Sequence, residues 1–274
     1  MTAYLLSDST TMLRRSLRRM RRYPSLTFFI AAIPVVLLLL FVYVFGGTLG
    51  AGLGAPGTAT GPGAGASGRE AYVAYVIPGI FLMTVAGVGQ GTAITVAMDM
   101  TAGIVARFRT MAIARAAVLA GHVLGSVIQA ALALAIVVVV ALVVGFRPTT
   151  DPVSWLGALA LLALVAFAIS WLSVALGMVT GSVETASNLP MILTLFVFLS
   201  SAFVPTASMP QPLAWFAEHQ PFTPITESLR SLLFGVPLGD NGLLAVAWCV
   251  VISVAAYVWA LRLYERVPAR AAAS

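Results

Sequence analysis

Lysine is absent from these 274 residues, cysteine occurs once, histidine twice, and charged side chains make up only 9% of the chain. Each shortage excludes something. Without a lysine there can be no Walker lysine, and no G-x-x-x-x-G-K-[ST] phosphate loop is present, so the chain does not itself bind ATP in the usual way. The one cysteine, Cys249, makes no intrachain disulfide and no cysteine metal cluster, and reads as a small core or lipid-facing residue. His122 and His219 stand far apart in sequence, with no H-E-x-x-H between them. No G-x-S-x-G nucleophile elbow occurs. Catalytic residues, metal ligands and a cofactor bound by this chain are therefore not expected.

The low charge decides the class. A soluble domain is roughly 25% charged, and 9% cannot cover a water-facing surface. Hydrophobic residues make up 60% of the chain and the mean hydropathy is +1.01. These values define an integral membrane protein. Six apolar segments follow, at 26–45, 72–97, 116–144, 154–180, 188–204 and 243–263. Each is near or above the ~20 residues that a helix needs to cross ~30 Å of hydrocarbon, the fifth being the shortest. The runs are continuous and do not alternate as barrel strands do, so the expected fold is all-α with six transmembrane helices.

The 15 arginines against 9 acidic residues leave a net charge of +6. They cluster at the ends of apolar runs and not along a soluble face, which argues against nucleic acid. Arg14, Arg15, Arg18, Arg19, Arg21 and Arg22 precede the first segment; Arg107, Arg109 and Arg115 follow the second; Arg262, Arg266 and Arg270 follow the sixth. With these twelve inside and Arg69, Arg147 and Arg230 outside, the positive-inside rule places both termini in the cytoplasm. The stretch 4–23 is amphipathic if helical, with Leu5, Met12, Leu13, Leu17 and Met20 on one side, and suits an interfacial helix against anionic headgroups.

The loops differ in kind. Residues 46–68 are a Gly/Ala/Pro linker that cannot build a core. Residues 205–242 contain two short helical stretches, "PLAWFAEH" and "ITESLRSLLFG", read as re-entrant helices at the outer leaflet. There Glu227 and Arg230 stand three apart on a helix. Inside the spans the polar residues are few. Gln90 and Gln129 either bond a neighbouring helix or line a path. Gly87/Gly91, Gly121/Gly125 and Gly177/Gly181 permit close helix approach. No expected span carries a carboxylate at mid-depth; Asp99 and Glu184 fall at helix ends.

The stretch "GIVARFRTMAIARAAVLAG" resembles the G-x-x-x-R-F-R-[ST]-L-P-[IM]-x-R-x-x-[VI]-L pattern of ABC-2 type exporter permeases, closest to the daunorubicin-resistance type of drug-export permease of actinobacteria. Gly103, Arg107, Phe108, Arg109, Arg115 and Leu119 match; Ala106, Met111 and Ala112 depart from it. A second likeness runs from "FLSSAFVP" to "LRSLLFG", through Pro205, Met209, Pro210, Pro224, Thr226, Arg230 and Gly235.

The resemblance implies three parts: a cytoplasmic N-terminal helix over 1–25, a six-span domain over 26–264 and a cytoplasmic tail over 265–274. It implies a permease subunit without enzymatic activity of its own, in a bacterial inner membrane, exporting an amphipathic drug, antibiotic or lipid. Two copies of a separate ABC ATPase, which would hold ATP and Mg, and a second copy of this permease are the expected partners. The residues Gly103, Arg107, Phe108, Arg109 and Arg115 would form the loop that couples to the ATPase. The bland alternative is that these arginines only anchor topology. Phe81, Gln90, Phe196 and Phe198 are candidate path residues, and Trp215 and Phe222 a candidate extracellular gate. The rival class is a stand-alone secondary carrier or structural membrane protein; a neighbouring gene for a phosphate-loop ATPase would separate the two.

The arginine split generates a direct test. Single cysteines at Ala64, Thr110, Thr149 and Ser274, in a Cys249→Ala background, are expected to react with an impermeant maleimide in intact cells only at Ala64 and Thr149. Labelling of Thr110 from outside would overturn the topology.

Overall fold

The structure is a computed structural model that describes residues 24–46, 69–103, 115–148, 151–180 and 182–266, together with Arg14, Arg18 and Arg22. Those three arginines are helical and exposed, and their spacing of four places them on one side of a helix. The apolar face expected over 4–23, most of the Gly/Ala/Pro linker and the tail after Arg266 lie outside the described residues.

Every described element is a helix. α1 runs Pro24–Leu40 and continues through a π turn at Phe41–Phe45. α2 is Arg69–Thr101, α3 is Arg115–Val144 and α4 is Pro152–Val179. α5 (Val183–Asn188) and α6 (Met191–Phe198) follow, then a 3₁₀ turn at Thr206–Ser208. α7 is Gln211–His219, α8 is Phe222–Phe234 and α9 is Asn241–Arg266.

Among the described residues five helical stretches are long and apolar enough to cross a membrane: Thr27–Phe45, Glu70–Thr101, Val118–Val144, Pro152–Val179 and Asn241–Arg266. These sequences favour helix because a chain in hydrocarbon must satisfy its own backbone groups, and a helix does so within one segment. α2 has 33 residues, about 50 Å at 1.5 Å per residue, so its ends stand beyond a ~30 Å hydrocarbon layer. The start of α4 is set by chemistry. Asp151 caps it, accepting from Ser154 N at 2.9 Å, and Pro152 supplies a pre-set first turn. The hydrogen bonds from the Ser154 backbone and side chain hold the Asp151 carboxyl below its ordinary range, so this cap is fully formed above that range and fades as pH falls.

The fifth apolar segment differs from the single helix expected over 188–204. It begins earlier and is broken into α5 and α6, the two together covering Val183–Phe198. Pro190, which has no N–H to donate, stands at the break. Ser182 caps α5 through Thr185 N, with Glu184 in its first turn and not in a loop. After Phe198 the chain turns through 199–203 and does not continue as helix.

α2 lies at the centre. It touches α1, α3, α4, α5, α6 and α8, and its residues from 71 to 86 are buried without interruption. α4 is the second axis, touching α2, α3, α8 and α9. The outward faces of α1, α3 and α9 carry exposed apolar residues, among them Phe29, Ile33, Val143, Leu243 and Val251. Such faces suit lipid.

Apolar packing alone gives helices in lipid little reason to associate, so close approach and hydrogen bonds decide where they sit. At Gly177 an added Cβ would stand 2.5 Å from Ala93 O, and at Gly89 it would stand 2.7 Å from both Ile169 Cγ2 and Ser173 Oγ. Gly177 lets α4 meet the backbone of α2, and Gly89 makes room on α2 for side chains of α4. Deeper polar fastening comes from hydroxyls: Thr92 Oγ1 donates to Ser126 Oγ at 2.7 Å, and Ser170 Oγ donates to the same oxygen at 2.8 Å, joining α2, α3 and α4.

Gly177→Val is therefore expected to lower the thermal midpoint of the detergent-purified protein, the overpacking costing about 1–3 kcal/mol. Gly91→Ala, where the nearest atom is the mobile Ile30 Cδ1 at 3.3 Å, should do much less. Equal midpoints for Gly177→Val and the parent protein would contradict the close contact.

Candidate functional site

Two polar regions interrupt the apolar bundle, one at each end of α2. At the loop end, Gly103 terminates α2 with φ +68, a left-handed conformation that glycine adopts without penalty. Ala102 N donates to Met98 O at 2.9 Å and Gly103 N to Met100 O at 3.1 Å, closing the last turn. α3 begins at Arg115. Arg107, Phe108 and Arg109 lie between, outside the described residues. Near these stems the α2 carboxylate of Asp99 sits 3.3 Å, Oδ2 to Nε2, from the imidazole of His122 on α3. Among the described residues no three His, Cys, Asp or Glu side chains converge as metal ligands would.

The candidate path residues are not brought to one place. Phe81 is fully buried in α2, edge-on to Phe146, which is in turn edge-on to Phe234 of α8. Gln90 donates through Nε2 to Ser187 O at 2.7 Å and so ties α2 to α5. Phe196 stacks on Phe216 of α7. Phe198 stacks on Phe203, which stacks on Phe41 of the first span. The two candidate gate residues also separate. Trp215 is 63% exposed on α7, stacked on His219, whereas Phe222 is 4% exposed at the start of α8.

α8 itself is the larger surprise. Nearly every residue from Phe222 to Leu233 is buried, against α4, α9 and α2. It ends at Gly235 with φ +69, whose N–H reaches Ser231 O.

The centre of this region is Arg230, 3% exposed. Its Nη1 donates to Glu227 Oε1 at 2.6 Å. Its Nη2 donates to two backbone carbonyls, Tyr75 O and Ser201 O, both at 3.0 Å. The guanidinium lies 4.0 Å over the Tyr75 ring, and the Tyr75 hydroxyl donates to Ser201 O at 2.8 Å. One side chain thus joins α2, the turn after α6 and α8. Around it Thr223 Oγ1 accepts from Ser201 N at 3.2 Å and donates to Ala217 O, and Gln220 Nε2 donates to Phe196 O at 3.1 Å. The i,i+3 spacing showed the Glu227 pairing in the sequence. Tyr75 and Ser201 carried no such signal, because they stand 155 and 29 residues from Arg230. A buried arginine within an apolar bundle is itself the clue that could have singled the position out.

A central helix in contact with six others, long apolar helices around it and a buried polar helix before the last span define a helical membrane protein. The ABC-2 type transporter family matches residues 8–234, and the chain belongs to that family. It is similar, at 29% identity over 265 residues, to a daunorubicin-resistance ABC transporter permease of Streptomyces coeruleorubidus, the match covering 96% of this chain and 88% of the relative. Membership implies an ABC ATPase as partner.

The Arg230 knot makes a stability prediction. Arg230→Met removes bonds to two carbonyls and strands Glu227, although that carboxylate is 33% exposed and partly hydrated. A loss of about 2–3 kcal/mol is expected, less than for a fully buried broken pair. Arg230→Lys keeps the charge but not the planar fork and should fall between. Thermal midpoints in detergent measure both; an unchanged midpoint for Arg230→Met would show that the knot holds nothing.

Proposed function

We propose that this chain is the membrane-spanning subunit of an ATP-binding-cassette exporter that moves an amphipathic drug, antibiotic or lipid out of a bacterial cell. A separate ATPase, in two copies, supplies ATP, Mg and the power stroke, and two copies of the permease form the pathway, with both termini cytoplasmic. The observation that carries this reading is the family match across most of the chain. The drug-resistance name of the relative favours an amphipathic cargo. In this reading the segment from Gly103 to Arg115 meets the ATPase. Gly103 turns the chain out of α2, Phe108 fills a cleft, and Arg107 and Arg109, about 200° apart at ~3.6 residues per turn if helical, each meet a separate carboxylate.

Uncharged residues line the path. Phe196 and Phe198, on the short α6, are better placed for it than Phe81, which is fully buried against Phe146. Gln90 sits between α2 and α5, where helix movement would release it. Trp215 is the exposed member of the outer gate, and Phe222 is the buried seat on which that gate rests.

The test uses Arg107→Glu, Arg109→Glu and Phe108→Ala made separately, with Trp215→Ala as a distal variant. All four should insert, because the remaining inside arginines maintain topology. Like-charge contact at a protein interface costs several kcal/mol, whereas loss of a screened rim charge costs ~0–1. At least one loop variant should therefore lose ATPase association or ATP-driven drug efflux by tenfold or more. Trp215→Ala should bind the ATPase normally and export less. Normal binding and export by all three loop variants would leave the loop as a topology anchor only.

A further inference from the structure

The contact between Asp99 and His122 has no part in the roles assigned above. It lies at the loop end of the bundle, one turn from the end of α2 and two turns into α3. Both side chains are largely buried, at 8% and 14% exposure. A carboxylate enclosed among apolar helices is costly to keep, and such residues are retained where they pair and act. The same two helices are already joined deeper in the bundle by Thr92 and Ser126, and by the packing of Val96 against Leu119 and Val123. A second, polar fastening is not needed merely to keep them adjacent.

Its position explains it better. α2 and α3 are the two stems of the segment 104–114, and whatever moves that segment moves both stems. They are unequal. α2 touches six other helices, whereas α3 touches four, α1, α2, α4 and α9, and exposes much of its length. Apolar contact gives α3 little resistance to sliding within lipid. Among the described residues the Asp99–His122 contact joins the stems nearest the loop, where it can make the weaker stem follow the stronger.

We propose that Asp99 and His122 form a clamp that makes α2 and α3 move as one body when the segment between them is displaced. They are positioning residues for energy transfer, and this rests on the coupling reading given above. Their effect reaches the outer end through α2, whose Tyr75 carbonyl and ring hold Arg230.

The test uses the permease reconstituted in nanodiscs with its ABC ATPase, in a Cys249→Ala background. An environment-sensitive bimane is attached through Ala207→Cys, an exposed position in the 3₁₀ turn Thr206–Ser208. ATP with vanadate, which needs no cargo, should change the bimane signal. Asp99→Ala and His122→Ala should each reduce that change at least fivefold, within the range of a coupling energy between two sites. Both should still bind the ATPase within about twofold of the parent. The exchanged pair, Asp99→His with His122→Asp, should recover at least half of the signal, which a loss of general packing would not. Full signal change in both alanine variants, with loss in the Arg107, Phe108 or Arg109 variants, overturns the clamp alone. No recovery in the exchanged pair also overturns it. Absence of any ATP-driven change in the parent protein overturns the coupling reading, and the clamp with it.

Discussion

In hydrocarbon a helix gains little by touching another apolar helix, since lipid tails would serve as well, and α2 is in contact with six others. Everything else in the bundle depends on how that helix is held. Two devices hold it. Glycines at 89 and 177 let α4 approach its backbone closely enough that an added methyl group would collide. Hydrogen bonds then fix neighbours at intervals along its length: Tyr75 to Ser201 and Arg230, Gln90 to Ser187, Thr92 to Ser126, with Asp99 against His122 at the end. Each of these polar groups would carry a penalty if left alone in the bundle interior, so each specifies one register for the helix it meets.

The arrangement divides the molecule by function. Near the loop, α2 and α3 form a pair of stems around the segment 104–114, which we propose meets the ATPase. At the other end, α2, the turn after α6 and α8 are gathered on one guanidinium. α6 is short, broken from α5 at Pro190 and flanked by turns.

Much of this was legible in the sequence. The apolar runs and low charge announced a helical membrane protein, and the ends of the first four spans and the last fell within a few residues of their places, because continuous apolar length is a strong signal. Gly103 and Gly235, picked from the family pattern, both adopt left-handed backbone. Glu227 and Arg230 were paired by helical spacing. The fifth span was misjudged because hydropathy does not register that Pro190 breaks a helix while leaving it apolar. Phe81, a candidate for the path, is fully buried with Phe146 edge-on to it; an aromatic residue in the sequence reads the same against lipid, cargo or protein.

By itself, then, the sequence determined the solvent this chain folds in, the kind of element it uses, and the polar segment between the second and third spans. Those properties follow from local composition, which lipid and water sort residue by residue. Only the tertiary structure decided that α8 lies within the bundle, that Arg230 reaches Tyr75 and Ser201, and that Asp99 meets His122. The reason is physical. A buried polar group is satisfied by whatever carbonyl, ring or carboxylate the packed helices bring within about 3 Å, and that partner can stand 155 residues away with no trace in the pattern around either one.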